Sequence, residues 1–145
     1  MAAEPRPIKI VAFGDSLTAG YELPATAAFP AVLEKRLRAD GYAVEIANAG
    51  VSGDTTAGGL ARVDWSVPDG VDLVIVELGA NDMLRGAPPA EAARALAEIL
   101  KRMQARKIAV VGVEPKLIER IRAGLFRRQP DRPRFGLAKL SAVAA

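Results

Sequence analysis

The chain has 145 residues, of which 50% are hydrophobic and 26% charged, an ordinary composition for one globular domain with a single hydrophobic core. It contains no cysteine, which excludes disulfides and thiolate metal sites, and no histidine, the commonest general base of nucleophilic catalysis. The charge is uneven: residues 1–113 carry 12 basic and 14 acidic side chains, whereas residues 114–145 carry 8 basic and 3 acidic ones.

The first half of the chain alternates between strand and helix. Residues 8–13 form an apolar run that is typical of a strand buried on both faces. A helix is predicted from Phe29, and its apolar stripe is formed by Val32, Leu33 and Leu37. A second strand is predicted at residues 43–47, and a Gly/Ser/Thr-rich loop leads from it into a short helix around residues 60–65.

The second half continues the alternation. Residues 71–78 show the strongest buried-strand pattern in the chain, and a polar loop at residues 79–89 follows them. A helix is predicted at residues 90–106 from the spacing of its apolar side chains, and a fourth strand at residues 107–113. Alternating strands and helices predict parallel strands joined by right-handed crossovers, and hence an open α/β sheet.

Polar turns follow the first three predicted strands, at the sheet edge where open α/β sheets bind ligands. Ser16 is the candidate nucleophile for acyl transfer, Gly53 offers a backbone N–H with no side chain in the way, and Asn81 offers an amide donor. The structural alternatives are a helix-capping serine, a turn glycine and an Asx-turn asparagine. Asp15 and Asp82 are expected to organise their loops by accepting backbone N–H bonds.

The three turns resemble the conserved blocks of the GDSL, or SGNH, hydrolases. FGDSLTAGY resembles the first block, NAGVSGDTTAGGLARV the second and VIVELGANDMLRG the third, in the family's order over residues 8–113. The chain is most similar to the small bacterial arylesterase, thioesterase and lysophospholipase type. This resemblance implies that Ser16 is the nucleophile and that Ser16, Gly53 and Asn81 form the oxyanion hole.

The resemblance also implies a fold and a reaction. The expected fold is a flavodoxin-like three-layer α/β/α domain with a parallel sheet in the strand order 2-1-3-4. The expected reaction is hydrolysis of a small-molecule carboxylic ester or thioester through an acyl-serine intermediate, with no metal or organic cofactor.

One block of the family pattern has no counterpart. The family's Asp-x-x-His near the C-terminus supplies the general base, and Asp131, in an Arg/Pro-rich run, does not resemble it. We therefore predict that this chain is close to inactive as an esterase. Residues 114–145 are predicted to be a basic tail foreign to the fold, through a frameshift or a truncation. The family's fifth strand would then be missing or replaced, and self-association through an exposed sheet edge is expected.

Two other functions stay open. One is a non-catalytic descendant that binds acyl or acetylated ligands, and the other is an unrelated α/β module that binds phosphate, for which neither common Gly-rich phosphate motif is present. The basic tail is interpreted as solvated, so neither nucleic acid nor a membrane surface is an expected partner. No signal peptide is apparent, which predicts a cytoplasmic location, or a periplasmic or secreted one for a processed mature form.

Overall fold

The computed structural model describes residues 6–113 of the chain. In this part, four parallel strands form one sheet in the order β2-β1-β3-β4. The strands are β1 (Ile8–Gly14), β2 (Val44–Gly50), β3 (Leu73–Glu77) and β4 (Ala109–Gly112). The helices are α1 (Ser16–Ala19), α2 (Phe29–Ala39), α3 (Thr56–Ser66), α4 (Ala80–Leu84) and α5 (Pro89–Ala105). The parallel α/β fold and the strand order predicted from the sequence are confirmed.

Helices cover both faces of the sheet, and an apolar cluster lies on each face. The larger cluster packs α3 and α5 against the sheet around Phe13, Val74 and Ile99, all fully buried. The smaller cluster packs Phe29 of α2 against Ile10. Successive side chains of a strand point to opposite faces, so β1 supplies residues to both clusters. This arrangement is the expected three-layer α/β/α architecture.

The helix predicted around residues 60–65 begins earlier than expected, at Thr56. The side chain of Thr55 caps it by accepting the backbone N–H of Gly58 at 3.1 Å. Gly59 packs so closely on the sheet that a Cβ would lie 2.5 Å from Leu78 Cδ1 and 3.3 Å from the Phe13 ring. The glycines at this point therefore serve helix packing, whereas the sequence pattern had suggested a loop.

Two further expectations are wrong. The polar loop predicted at residues 79–89 contains helix α4, which starts after Gly79 in a positive-φ conformation. Val32 was expected in the apolar stripe of α2, yet it is 43% exposed. Leu33, which was predicted in the same stripe, does pack against the smaller cluster, together with Phe29 one turn earlier.

Several predictions concern residues outside the described part of the chain. They include the basic tail at residues 114–145, the position of Asp131 and the fate of a fifth strand, and all of these stay predictions. Self-association also stays a prediction. It was expected at an exposed sheet edge, and among residues 6–113 β4 is an outer strand that pairs with β3. Within those residues no helix has the length and apolar character needed to cross a bilayer.

The end of β1 provides a test of the close packing around the sheet edge. A Cβ on Gly14 would meet the Thr18 hydroxyl and lie 2.6 Å from the backbone oxygen of Glu77. We expect Gly14→Ala to lower the free energy of unfolding by about 1–3 kcal/mol, measured by urea denaturation. The control is Gly112→Ala, because no atom of residues 6–113 lies within 4 Å of the added carbon there. Equal destabilisation by the two variants would contradict this account.

Candidate active site

The turns after β1, β2 and β3 meet at one edge of the sheet. Asn81 links them, because its Nδ2 donates to the backbone oxygen of Asp54 at 2.9 Å and to Asp15 Oδ2 at 3.2 Å. Asp54 follows Gly53 in the chain, and Asp15 precedes Ser16. The structure therefore brings the three residues predicted for the oxyanion hole to the same place.

The turn after β1 leaves Ser16 without a capping role. Asp15 is the N-cap residue of α1, and its Oδ1 accepts the N–H of Leu17 at 2.9 Å. Ser16 is the first residue of the helix and is half-buried. The N–H groups of a first helical turn have no partner within the helix. The backbone N–H of Ser16 is therefore free of the α1 hydrogen-bond ladder and stands next to its own hydroxyl.

The turn after β2 requires a glycine at position 53. Gly53 has a φ of 82°, a left-handed conformation that side chains disfavour. The Val51 N–H donates to the backbone oxygen of Gly14 at 2.9 Å, which ties this turn to the end of β1. On the outer side, Arg85 Nη2 donates to the backbone oxygen of Gly53 at 2.9 Å. The turn-glycine interpretation thus holds, and it is compatible with a role of the Gly53 N–H as a donor.

A buried cation that the sequence reasoning missed supports this edge of the sheet. Arg62, 8% exposed, donates to Asp54 Oδ2 at 2.7 Å and to the backbone oxygens of Ala49 and Gly14 at 2.9 and 3.0 Å. Its guanidinium also lies 4.2 Å from the centre of the Phe13 ring. One side chain therefore joins the ends of β1 and β2 to the turn that carries the glycine. Its only sequence signal was a charge within the apolar face of a short helix.

The turn after β3 is fixed by Asp82, one of the two acids expected to organise a loop. Asp82 is buried, and its two carboxylate oxygens accept the backbone N–H and the hydroxyl of Thr56 at 2.9 and 2.7 Å. These bonds tie α4 to the first turn of α3. Asn81 precedes Asp82 in the chain and is therefore held between the start of α3 and the turn after β1.

The sequence matches the GDSL-like Lipase/Acylhydrolase family over residues 12–142. The chain belongs to this family.

Individual relatives agree with this assignment. The chain is 47% identical to an arylesterase of Vibrio mimicus over 85 residues, which are 56% of this chain and 41% of that protein. It is 37% identical to thioesterase 1/protease 1/lysophospholipase L1 of Escherichia coli over 121 residues, which are 82% of this chain and 54% of that protein. The chain thus spans about half the length of the curated relatives that it matches.

The fold is similar to that of solved SGNH hydrolases. The crystal structure of AlinE4, an SGNH-hydrolase family esterase, aligns with a TM-score of 0.71 and 48% sequence identity. The alignment covers 79% of this chain and 65% of AlinE4. The expected SGNH family and its α/β fold are therefore confirmed.

A second buried group of this SGNH domain was also missed from the sequence. Glu77 ends β3 and is only 3% exposed, with Oε1 accepting the Thr18 hydroxyl at 2.8 Å and the Asp15 N–H at 3.3 Å. Burial, together with hydrogen bonding to the Asp15 carboxyl, raises the pKa of Glu77 to about 7. A glutamate at the end of an otherwise apolar strand was the signal that could have identified it.

The acids near Ser16 are occupied by other donors. Asp15 accepts from Leu17 and Asn81, and Glu77 accepts from Thr18. In the same way, Asp54 accepts a hydrogen bond from Arg62, and Asp82 accepts one from Thr56. None of these bonds involves the Ser16 hydroxyl. Because the chain also has no histidine, residues 6–113 present no group in the position of a general base.

The raised pKa of Glu77 predicts a stability that depends on pH. Folding holds a proton that the unfolded chain releases, so the contribution is complete below the ordinary pKa of 4.5 and is lost as the pH rises to about 7. We expect Glu77→Gln, which cannot ionise, to avoid this loss. Relative to wild type, its free energy of unfolding should rise between pH 4.5 and 7 by up to about 3 kcal/mol, at about 1.36 kcal/mol per pH unit.

Urea denaturation at pH 5 and pH 8 measures this difference. Glu45→Gln is the matched control, because Glu45 is an exposed glutamate on β2 and its replacement should follow the wild-type profile. If the free energy of unfolding changed with pH in the same way for wild type and Glu77→Gln, the raised pKa of Glu77 would be contradicted.

Proposed function

We propose that this chain carries the acyl-hydrolase site of its family, with Ser16 as the nucleophile. The backbone N–H groups of Ser16 and Gly53 and the amide of Asn81 would stabilise the oxyanion. The observation that supports this is the bridge made by the Asn81 amide between Asp15 and Asp54, the chain neighbours of the other two residues.

The proposed chemistry is acyl transfer. The Ser16 oxygen attacks the carbonyl carbon of an ester or thioester, and the carbonyl electron pair moves onto oxygen. Donors aimed at this developing charge lower the barrier. Both hydrogens of the Asn81 amide are already donated, and the bond to Asp15, at 3.2 Å, is the longer one. An oxyanion would therefore replace Asp15 as the acceptor of that hydrogen.

Exposed apolar side chains on the same turns favour an acyl ligand. Val51 is 45% exposed, Met83 76% and Leu84 78%. Val51 lies two residues before Gly53, and the other two follow Asn81 on α4. An apolar rim of this kind suits the hydrocarbon part of an ester or thioester. The names of the relatives suggest aryl esters, acyl thioesters and lysophospholipids as substrates to compare.

The missing base favours a second function for this chain, the binding of acyl ligands without turnover. A serine hydroxyl is a poor nucleophile at neutral pH unless a base accepts its proton. No histidine is present in the 145 residues, whereas the three proposed oxyanion donors stand together. A site of this composition would bind an acyl carbonyl or carboxylate and convert it slowly.

Butyrate titration followed by ¹⁵N NMR tests the proposed site. We expect chemical-shift changes at the backbone N–H groups of Ser16 and Gly53 and at the side-chain amide of Asn81. Asn81→Ala should weaken binding about tenfold or more, because it removes a hydrogen bond to a charged group. The control is Gln104→Ala, which removes an exposed amide on α5. Shifts confined to other regions would contradict the site, and preferred binding of inorganic phosphate would favour a phosphate-binding module.

A further inference from the structure

We propose that Arg85 is a specificity-determining residue, which makes the site favour acyl ligands that carry a separate negative charge over uncharged ones. The observation that supports this is the position of its guanidinium beside Gly53. The ligand class rests on the function proposed above, in which the Gly53 N–H is one of the oxyanion donors.

The guanidinium of Arg85 lines the bare side of Gly53, where any other residue would carry a side chain. A Cβ placed on Gly53 would lie 3.6 Å from Arg85 Nη2. Apart from the chain neighbours of Gly53, no other heavy atom of residues 6–113 lies within 4 Å of that carbon. The same nitrogen donates to the backbone oxygen of Gly53 at 2.9 Å, which holds the guanidinium in place. A ligand on the bare side of Gly53 therefore lies next to a cation.

Arg85 has both charge and donors available for a ligand. The arginines that form an ion pair with a carboxylate within residues 6–113 are Arg6, Arg36, Arg38, Arg62, Arg102 and Arg106. Arg85 and Arg94 form no such pair within the same residues. A guanidinium carries several N–H donors, and in this part of the chain the Arg85 side chain uses one nitrogen, for the Gly53 oxygen. Because Arg85 is exposed, a carboxylate or phosphate can reach the other donors from solvent.

The other charged groups around the proposed oxyanion donors disfavour an anionic ligand. Asp15 and Asp82 are buried, and within residues 6–113 they accept hydrogen bonds from uncharged N–H and O–H groups. The buried cation Arg62 is paired with Asp54. These carboxylates repel a negative charge on a ligand, and Arg85 is the cation placed to offset that repulsion. Its removal should therefore change how the site selects ligands by charge.

Helix α4 carries the parts of such a site in one short segment. Asn81 provides the amide donor, Met83 and Leu84 provide exposed apolar side chains, and Arg85 follows them directly. A ligand whose hydrocarbon part lies on the apolar side chains can present its carbonyl to Asn81 and a negative group to Arg85. The substrate class is therefore an ester or thioester with a carboxylate or phosphate a few bonds from the carbonyl carbon.

Monomethyl succinate and dimethyl succinate test this preference, because both contain a methyl ester and only the first is an anion at pH 7. Their Kd values are measured by ¹⁵N NMR titration of wild type, Arg85→Ala and Arg85→Lys. We expect Arg85→Ala to raise the Kd of the monoester about threefold to fivefold, as for an exposed ion pair, and to leave that of the diester unchanged. Arg85→Lys should retain most of the preference, because it keeps the charge. Addition of about 0.3 M NaCl should weaken binding of the monoester to wild type by screening that charge.

Arg94→Ala is the matched control. Arg94 is also an exposed arginine whose guanidinium donates to a backbone oxygen, that of Ala90 at 3.3 Å, but it lies on α5. Its replacement should leave both Kd values unchanged. If Arg85→Ala weakened the two esters equally, Arg85 would only hold the Gly53 turn, and the specificity role would be overturned.

The positions of the chemical-shift changes separate this inference from the proposed function. Changes at Ser16, Gly53 and Asn81, with a monoester Kd that Arg85→Ala leaves unchanged, would support the function and overturn the role of Arg85. Changes confined to the surroundings of Arg85, and lost in Arg85→Ala, would support charge selection by Arg85 and contradict the oxyanion site. Absence of binding of either ester to wild type would contradict both.

Discussion

We expect this chain to hydrolyse p-nitrophenyl butyrate about 10⁶-fold more slowly than a serine hydrolase whose base is in place. The Ser16 hydroxyl must lose its proton to attack the ester, and the chain contains no histidine to accept it. The acids around Ser16 are bound to other donors. The factor corresponds to a barrier about 8 kcal/mol higher. The remaining oxyanion donors should still give a rate about 10³–10⁴-fold above that of water.

The rate of p-nitrophenol release by wild type and by Ser16→Ala measures this effect. Without a base, the two proteins should differ by no more than a few-fold. Added imidazole provides a sharper comparison, because an external base should accelerate the wild type more than Ser16→Ala if the base alone is missing. Turnover at ordinary enzyme rates, about 1–10³ s⁻¹, that Ser16→Ala abolishes would refute the prediction.

We expect Arg62→Ala to destabilise the domain by about 3–5 kcal/mol. The substitution leaves the Asp54 carboxylate, whose side chain is 12% exposed, without its cation, and it removes a donor to the backbone oxygens of Gly14 and Ala49. The Gly14 oxygen keeps the bond from the Val51 N–H, so the unpaired charge of Asp54 accounts for most of the expected loss. Total stabilities of natural domains are about 5–15 kcal/mol, so this loss is a large fraction of the whole.

Arg102→Ala is the matched control for the urea denaturation. Arg102 also pairs with an aspartate, Asp64, at 2.8 Å, but its side chain is 37% exposed. Exposed pairs contribute about 0–1 kcal/mol, so this variant should stay near wild type. Arg62→Lys should fall between the two, because it keeps a charge but loses the planar group that donates to four acceptors. Similar losses for Arg62→Ala and Arg102→Ala would show that the buried cation is not structurally special.

The strands at residues 8–13 and 71–78 could be predicted from their continuous apolar runs. Such a run indicates a strand because a central parallel strand is buried on both faces of the sheet. The resemblance to the SGNH family added the strand order, which the structure confirms. Neither the start of α3 at Thr56 nor the exposure of Val32 could be predicted from the apolar pattern or from the family resemblance. Glycine is a poor helix former, and the close contacts of Gly59 with Leu78 and Phe13 explain its place inside α3.

The sequence by itself determined the family, the order of the strands and the three groups proposed to act on an acyl carbonyl. It also established that no histidine is present in these 145 residues. The tertiary structure alone decided that Asn81 spans two turns and that Arg62 and Glu77 support them. The physical reason is that a motif specifies residue types along one turn. The partners of a buried charge come from other turns, and only folding brings them within hydrogen-bonding distance.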